Sequence, residues 1–368
     1  MKVKPIYKIL IGIILLMIIW FIPLPDMIAF RIGLSNSFKG EAVGFLGKKP
    51  LQYKRFALLD NFSSTKKLKR LYYNHISPAV KCYSFYALRE RVDNDELFIL
   101  LSDGLKDDRE LTTQFGCIID RSMVADVLID LSREYLSDMH NSELDSLILY
   151  SHIGSRSQNW LLRTLTPNPN YYLRIRELAT EKMKPEALIA LSKFQQDEDI
   201  LIIKQQLNNP NIDPYYPLLA VKHFPAEDFT TDILRIQSEM IRKHWDINHP
   251  AVRVLYKAMI RFDYLNIKTR LTELITLDRE TMTLPDNERT LNNLVADINL
   301  TETDASSKIL EIIENDINKQ TVRTHMRALS LALYDYPKSK YKFLIDEITL
   351  DQTEMLFLEM ELEQTIYE

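Results

Sequence analysis

Pro250-Ala251-Val252-Arg253-Val254-Leu255-Tyr256-Lys257-Ala258-Met259-Ile260 is the stretch on which the fold turns. Proline is favoured at the first helical position, where its missing N–H has no intrahelical partner to lose. Behind it, Val252, Leu255, Tyr256, Met259 and Phe262 recur at helical spacing on one face. A second stripe follows at Ile267, Leu271, Leu274 and Ile275. Two apolar stripes at this spacing, separated by a short polar break, predict a pair of amphipathic helices.

The same pattern extends upstream. Pro185, Pro217 and Pro250 lie 32 and 33 residues apart, and each opens an apolar helical pattern. After Pro217 the second stripe is Phe229, Ile233, Ile236 and Met240. After Pro185, Leu188, Leu191 and Phe194 precede Ile200, Ile203 and Leu207. Much earlier, Ser77-Pro78-Ala79-Val80-Lys81-Cys82-Tyr83 matches His249-Pro250-Ala251-Val252-Arg253-Val254-Leu255 in character, and Leu97, Leu100, Leu101 and Leu105 supply its second helix. Downstream, Ile309, Ile312, Ile313 and Ile317 form a stripe, as do Leu329, Ala332 and Leu333. Asp351 and Glu354 have capping-box spacing.

Over residues 70–110 and 183–277 this pattern resembles HEAT repeats: antiparallel helix pairs, a proline near the start of the first helix, and a polar turn between the two. The spacing is shorter than the 40–47 residues usual for such units, so TPR-like or irregular pairs stay open. The resemblance implies that neighbouring pairs stack to cover apolar faces that one pair cannot bury alone. The expected fold is therefore all-α, an N-terminal transmembrane helix followed by a HEAT-like α-solenoid over 66–368. Breaks at Thr166–Asn170 and Leu284–Asn287 suggest sub-arrays 66–165, 170–283 and 288–368.

Glycine usage supports helices. The chain has eight glycines, the last at 154, leaving the 214 residues from Ser155 to Glu368 with none. Phosphate cradles and dinucleotide-binding turns depend on glycine's access to φ > 0 and close backbone approach. That stretch therefore excludes a P-loop or Rossmann site.

The N-terminus reads as a membrane anchor. A basic segment, 1–8, holds Lys2, Lys4 and Lys8, and the 17 residues Ile9 to Pro25 carry no charge. As a helix they would reach about 25 Å. A cleaved signal peptide is the competing reading, but no small-x-small site follows closely, which favours an uncleaved anchor. Pro23 and Pro25 should end the helix, with Met27–Leu34 lying at the interface and 26–65 serving as a basic juxtamembrane linker. Residues 1–70 hold 13 Lys/Arg against three Asp/Glu, a net +10, while the remainder carries −15. The leading lysines place the N-terminus in the cytoplasm and the body outside it, in the periplasm of a bacterium. The cluster Lys48, Lys49, Lys54, Arg55, Lys66, Lys67, Lys69 and Arg70 pulls the other way, and these are the candidate lipid head-group contacts. The acidic body argues against nucleic acid as a partner.

Little in the chain suggests catalysis. The seven histidines show no metal spacing, and no H-E-x-x-H or G-x-S-x-G occurs. No metal or cofactor is expected. Asp103 to Asp108 lacks a calcium-loop register and reads as an inter-helix turn. Gly116-Cys117 reads as close helix packing beside a buried thiol. Cys82 and Cys117 are either buried thiols or one disulfide of an exported body. Tyr171, Tyr172, Tyr215 and Tyr216, with His244, Trp245 and His249 in a connecting loop, are the candidate partner surface, since tyrosine combines apolar area with a hydrogen-bonding tip. The leading expectation is a membrane-tethered scaffold that binds a protein partner without catalysis. A toxin-neutralising or regulatory binder is the alternative. A third reading, an enzyme acting on envelope polymers or lipids, requires His244, His249 and acidic residues to share one pocket.

Overall fold

A computed structural model describes residues 24–151, 155–282, 302–336, 339–341 and 343–344. Among these residues the fold is mainly helical, with sixteen α-helices and one three-stranded sheet. The sheet departs from the all-α expectation. The chain forms two compact units, Met1–Leu161 and Leu162–Glu368, which are taken in turn.

The first unit runs α1 (Pro25–Gly33), β1 (Ser37–Val43), α2 (Leu51–Phe62), α3 (Thr65–Asn74), α4 (Pro78–Leu88), α5 (Asn94–Gly104), β2 (Glu110–Gly116), β3 (Ile118–Met123), α6 (Val124–Ser132), α7 (Asp138–Tyr150) and the start of α8 (Arg156–Thr164). The expected membrane helix over 9–25 lies outside the described residues except for its last two positions. No described helix is long and apolar enough to cross a membrane. Pro25, expected to end a helix, opens one. Ile28, Ala29 and Ile32, expected at a lipid interface, are fully buried.

The stretch 26–65, expected as a linker, is folded. α1 packs on α2 and α4, and the buried Gln52 side chain donates to the Ile32 carbonyl at 2.8 Å and the Ser37 carbonyl at 3.1 Å. Those bonds satisfy the end of α1 and the start of β1 together, as a buried helix terminus requires. An aromatic cluster fills the space behind them. The Phe38 ring centroid is 4.5 Å from that of Tyr83, and Phe56 lies 4.7 Å from Tyr86. The Tyr83 hydroxyl accepts from the Lys39 amide and donates to the Lys39 carbonyl.

β1 pairs in parallel with β2, Ser37 opposite Thr112 and Phe38 opposite Thr113. A parallel pair needs a long crossover, here supplied by α2 to α5. β2 and β3 form an antiparallel hairpin closed at Gly116–Cys117. Leu111 and Thr113 are buried while Thr112 is exposed, the two-residue period of a strand with one covered face. The Gly116-Cys117 turn is thus a hairpin and not a helix contact, with Gly116 at φ +54°. Close helix packing is instead served by Gly104, where an added Cβ would lie 2.3 Å from Leu128 Cδ1 and 2.6 Å from the Tyr72 hydroxyl.

The second unit continues through α9 (Tyr172–Thr180), α10 (Pro185–Ser192), α11 (Ile200–Leu207), α12 (Tyr215–His223), α13 (Thr230–Arg242), α14 (Pro250–Met259), α15 (Leu265–Met282) and α16 (Glu302–Asp335). Three of these helices bury the stripes read from the sequence: Val252, Leu255, Tyr256 and Met259 on α14, Ile233, Ile236 and Met240 on α13, and Ile267, Leu271, Leu274 and Ile275 on α15. Pro185 and Pro250 open their helices, but Pro217 does not. Pro214 is the N-cap residue there, and α12 starts at Tyr215. Pro217 is tolerated because first-turn N–H groups have no intrahelical acceptor. In α16, Leu329, Ala332 and Leu333 are buried, whereas Ile313 and Ile317 are 47% and 41% exposed. That half of the isoleucine stripe does not join the core. The break at Leu284–Asn287 and the Asp351–Glu354 box lie outside the described residues.

Packing in this unit is sequential. α10 lies on α9 and α12, α12 on α14, and α14 on α16. α11, α13 and α15 lie on α12, α14 and α16 respectively. From α10 onward the helices share one apolar cluster that includes Phe229, Leu255, Tyr256 and Phe262.

Candidate functional site

The second unit carries an open-sided groove of about 550 Å³ between α13 and α15. Gln237 and Ile241 contribute from α13, and Leu265, Lys268, Arg270, Glu273, Leu277 and Glu280 from α15. Leu265 is 79% exposed and Leu277 39%. The walls therefore combine apolar side chains with both signs of charge. Helical spacing puts Lys268, Thr272 and Leu265 on one face of α15, so the groove follows from the sequence period once the other face is buried.

Beneath the groove a chain of polar groups runs into the core. Arg270 Nε donates to Gln237 Oε1 at 2.9 Å, and Gln237 Nε2 donates to the Tyr256 hydroxyl at 3.1 Å. That hydroxyl lies 2.9 Å from His325 Nδ1. The hydroxyl can donate to Nδ1 or accept from it while still accepting from Gln237, because a phenol oxygen carries two lone pairs. Gln237, Tyr256 and His325 are fully buried. Burial pushes His325 down to about 4, against a smaller opposing pull from the Trp245 backbone, so the ring is neutral near pH 7. Burial likewise pushes the Tyr256 phenol well up. The chain orients Arg270 at the groove floor, and Arg270 also reaches Glu273 at 3.1 Å. This network left no mark in the sequence: four residues spread from 237 to 325 show no motif.

The seven candidate partner residues fall on three separate connections. Tyr171 ends a 3₁₀ turn, and the hydroxyl of Tyr172 meets Glu198 and, at 3.0 Å, the buried carboxylate of Asp199. Burial raises the Asp199 pKa. Tyr215 and Tyr216 stack edge to face at 5.2 Å in the first turn of α12. His244 sits at φ +54° just past α13, where the Trp245 amide bonds the Met240 carbonyl. It fills the left-handed closing position usually given to glycine. Its Nδ1 lies 3.0 Å from Thr321 Oγ1. His249 caps α14 by accepting from the Ala251 amide, and its ring stacks 4.1 Å from Trp245. These roles all belong to helix ends and turns. The enzyme reading asks for these histidines to share a pocket with carboxylates; His244 turns to Thr321 and His249 to Trp245. Among the described residues no three His, Cys, Asp or Glu side chains gather as a metal site.

In the first unit, Asp126 on α6 accepts from the Ser157 amide at 2.9 Å and the Ser157 hydroxyl at 2.7 Å, tying down the start of α8. A smaller cleft of about 300 Å³ beside it is lined by Asp130, Arg133, Arg156 and Trp160. Of the candidate head-group residues, Lys67 and Arg70 pair with Asp26, Lys69 with Glu96, and Lys49 with Glu41. Arg55 donates to the Arg31 carbonyl at 2.9 Å. Lys48, Lys54 and Lys66 are exposed. The cysteines are not bridged. Cys82 is buried in α4, and Cys117 is exposed at the hairpin turn. No family model, curated protein or solved structure matches the chain.

Proposed function

We propose that this chain is a membrane-tethered scaffold whose helical body binds a protein partner and performs no catalysis itself. In this reading the second unit is a HEAT-like array, and residues 9–25 hold it at the membrane with the body outside the cytoplasm. The observation that carries the reading is the succession α10, α12, α14 and α16, each on the next, with α11, α13 and α15 alongside. Stacked pairs of this kind present grooves between neighbouring helices, and extended surfaces of that type bind other chains. The α13–α15 groove has the chemistry for an amphipathic helix: apolar Leu265, Leu277 and Ile241, with both signs of charge on its walls at Lys268 and Glu280.

The test is a photo-crosslinking residue at Thr269, on the groove wall, in the full chain expressed in cells. A discrete crosslinked protein, lost on Leu265→Glu with Leu277→Glu, is expected. Crosslinking unaffected by those changes would remove the groove from the reading. Turnover of a substrate by the purified chain, abolished by one side-chain change, would replace the scaffold with an enzyme. Reporter fusions after residue 70 and at the C-terminus test the tether, because activity on the cytoplasmic side overturns the orientation.

A further inference from the structure

The free end of the three-stranded sheet exposes four bulky apolar side chains of the first unit together. Val43 and Lys48 exchange backbone hydrogen bonds of 3.0 and 3.1 Å, closing the turn Gly44-Phe45-Leu46-Gly47. Gly44 and Gly47 take φ +70° and +58°, which non-glycine residues adopt only at a cost. Phe45 is 96% exposed and Leu46 73%. The Gly44 amide donates to the Gly116 carbonyl at 2.7 Å, joining this turn to the β2–β3 hairpin turn. There Ile118 and Ile119 are 74% and 66% exposed. Adjacent strand residues point to opposite faces. Both being bare means that this end of the sheet has neither face covered.

Two glycine-closed turns, hydrogen-bonded to each other, thus carry four bulky apolar side chains at a projecting end. Lys48 and Lys49 follow Gly47, just after Leu46 in sequence. Lys49 pairs with Glu41 at 2.5 Å, both more than half exposed. Arg121, 81% exposed on its side chain, lies further along β3. The acidic groups facing this end are Glu41 and Asp120, and Asp120 pairs with Arg156.

We propose that this sheet end is a membrane-insertion tip, in which Phe45, Leu46, Ile118 and Ile119 enter the acyl boundary of a bilayer while Lys48 and Lys49 meet anionic head groups. Apolar side chains at the extreme tip with cations immediately behind match the order hydrocarbon, then phosphate, that a bilayer presents. A projecting end with two bare faces suits a deformable apolar solvent. Contiguous apolar exposure of this kind marks an interaction site on an otherwise polar surface. The contact is separate from residues 9–25 and stands whether or not they span a membrane.

Cys117 supplies the probe, since it is exposed at the hairpin turn while Cys82 is buried. A nitroxide on Cys117 of the full chain, reconstituted in vesicles of phosphatidylglycerol and phosphatidylcholine, reports its depth by collision with oxygen against a water-soluble nickel chelate. The proposal expects oxygen to become the better relaxant. Phe45→Asp with Leu46→Asp, at positions too exposed to affect folding, should return the label to water, and Lys48→Glu with Lys49→Glu should make its immersion insensitive to phosphatidylglycerol. If the N-terminal tether is correct, the aspartate variant stays with the vesicles during flotation; if it is not, the variant leaves them. A label that remains in contact with the nickel chelate overturns the tip. Dipolar broadening between labels also overturns it, in favour of a second copy of this chain as the occupant.

Discussion

The Tyr256 hydroxyl and Nδ1 of His325 share a hydrogen bond of 2.9 Å, with neither side chain exposed to solvent. Burial holds His325 at about 4 where an exposed histidine titrates near 6.5. Below pH 6.5 the unfolded chain therefore binds a proton that the fold refuses. Stability contributed by this residue is complete above about 6.5, is lost as pH falls from 6.5 to 4, and changes no further below 4. Between pH 7 and 5 the loss is about 2 kcal/mol. His223, half-buried and also pushed down to about 4 by burial, acts in the same direction. Hydrogen exchange of the α14 amides at pH 7 and pH 5 measures the loss. His325→Gln should flatten its pH dependence, and an unchanged dependence in that variant would contradict the assignment.

Gly104 is required for the approach of α5 to α6. An alanine Cβ there would fall 2.3 Å from Leu128 Cδ1 and 2.6 Å from the Tyr72 hydroxyl. The Tyr72 hydroxyl cannot swing away freely, because it is buried and donates to the Leu100 carbonyl at 2.5 Å. Gly104→Ala should destabilise the first unit by about 1–3 kcal/mol, the usual cost of overpacking. Combining it with Leu128→Ala should cost less than the sum of the two single changes, a coupling that a double-mutant cycle in urea measures.

What the sequence disclosed followed from periodicity. The stripes around Pro250 and Pro185 predicted buried faces because core burial repeats every 3.6 residues and proline marks a helix start. Pro217 misled the reading because proline is equally permissible in any first-turn position, and only the Pro214 cap distinguishes them. The sheet was hidden for another reason. β1 holds just one fully buried large apolar side chain, Phe38, and its partner lies some 75 residues away across four helices, so no local alternation announced the pairing. The available signal was the clustering of Gly40, Gly44 and Gly47, with Gly116 some 70 residues on, in a chain of only eight glycines. The His325–Tyr256–Gln237–Arg270 chain was invisible because its members come from four helices and share no spacing.

The absence of glycine after residue 154 has an energetic consequence. Met183, Gln195 and His244 adopt φ +50°, +53° and +54°, a region costing L-residues about 1 kcal/mol each. Gln195 recovers some of this by donating from its side chain to the His223 carbonyl at 2.9 Å, and His244 reaches Thr321. Met183, 49% exposed, has only a sulfur contact with Gln206 at 3.4 Å. Met183→Gly should therefore stabilise the second unit by about 0.5–1 kcal/mol, and Met183→Val should destabilise it, because β-branching worsens the same strain. Thermal denaturation of the three proteins side by side gives the ranking, and a glycine variant less stable than the parent would contradict it.

The two cysteines should react separately. Cys82 is fully buried in α4 between Lys81 and Tyr83, and burial pushes its thiol well above the ordinary range, so it offers almost no thiolate at neutral pH. Cys117 sits exposed between Gly116 and Ile118, where reagents arrive freely. A thiol titration of the native chain should consume one equivalent quickly, and a second only after denaturant is added. Cys117→Ser should abolish the fast equivalent, and Cys82→Ser should leave it intact. The same titration decides the disulfide expected for an exported body. A native chain with no reactive thiol, regaining two after reduction, would mean that the helix carrying Cys82 opens far enough to bridge Cys117, at the expense of the Phe38–Tyr83–Phe56 packing around it.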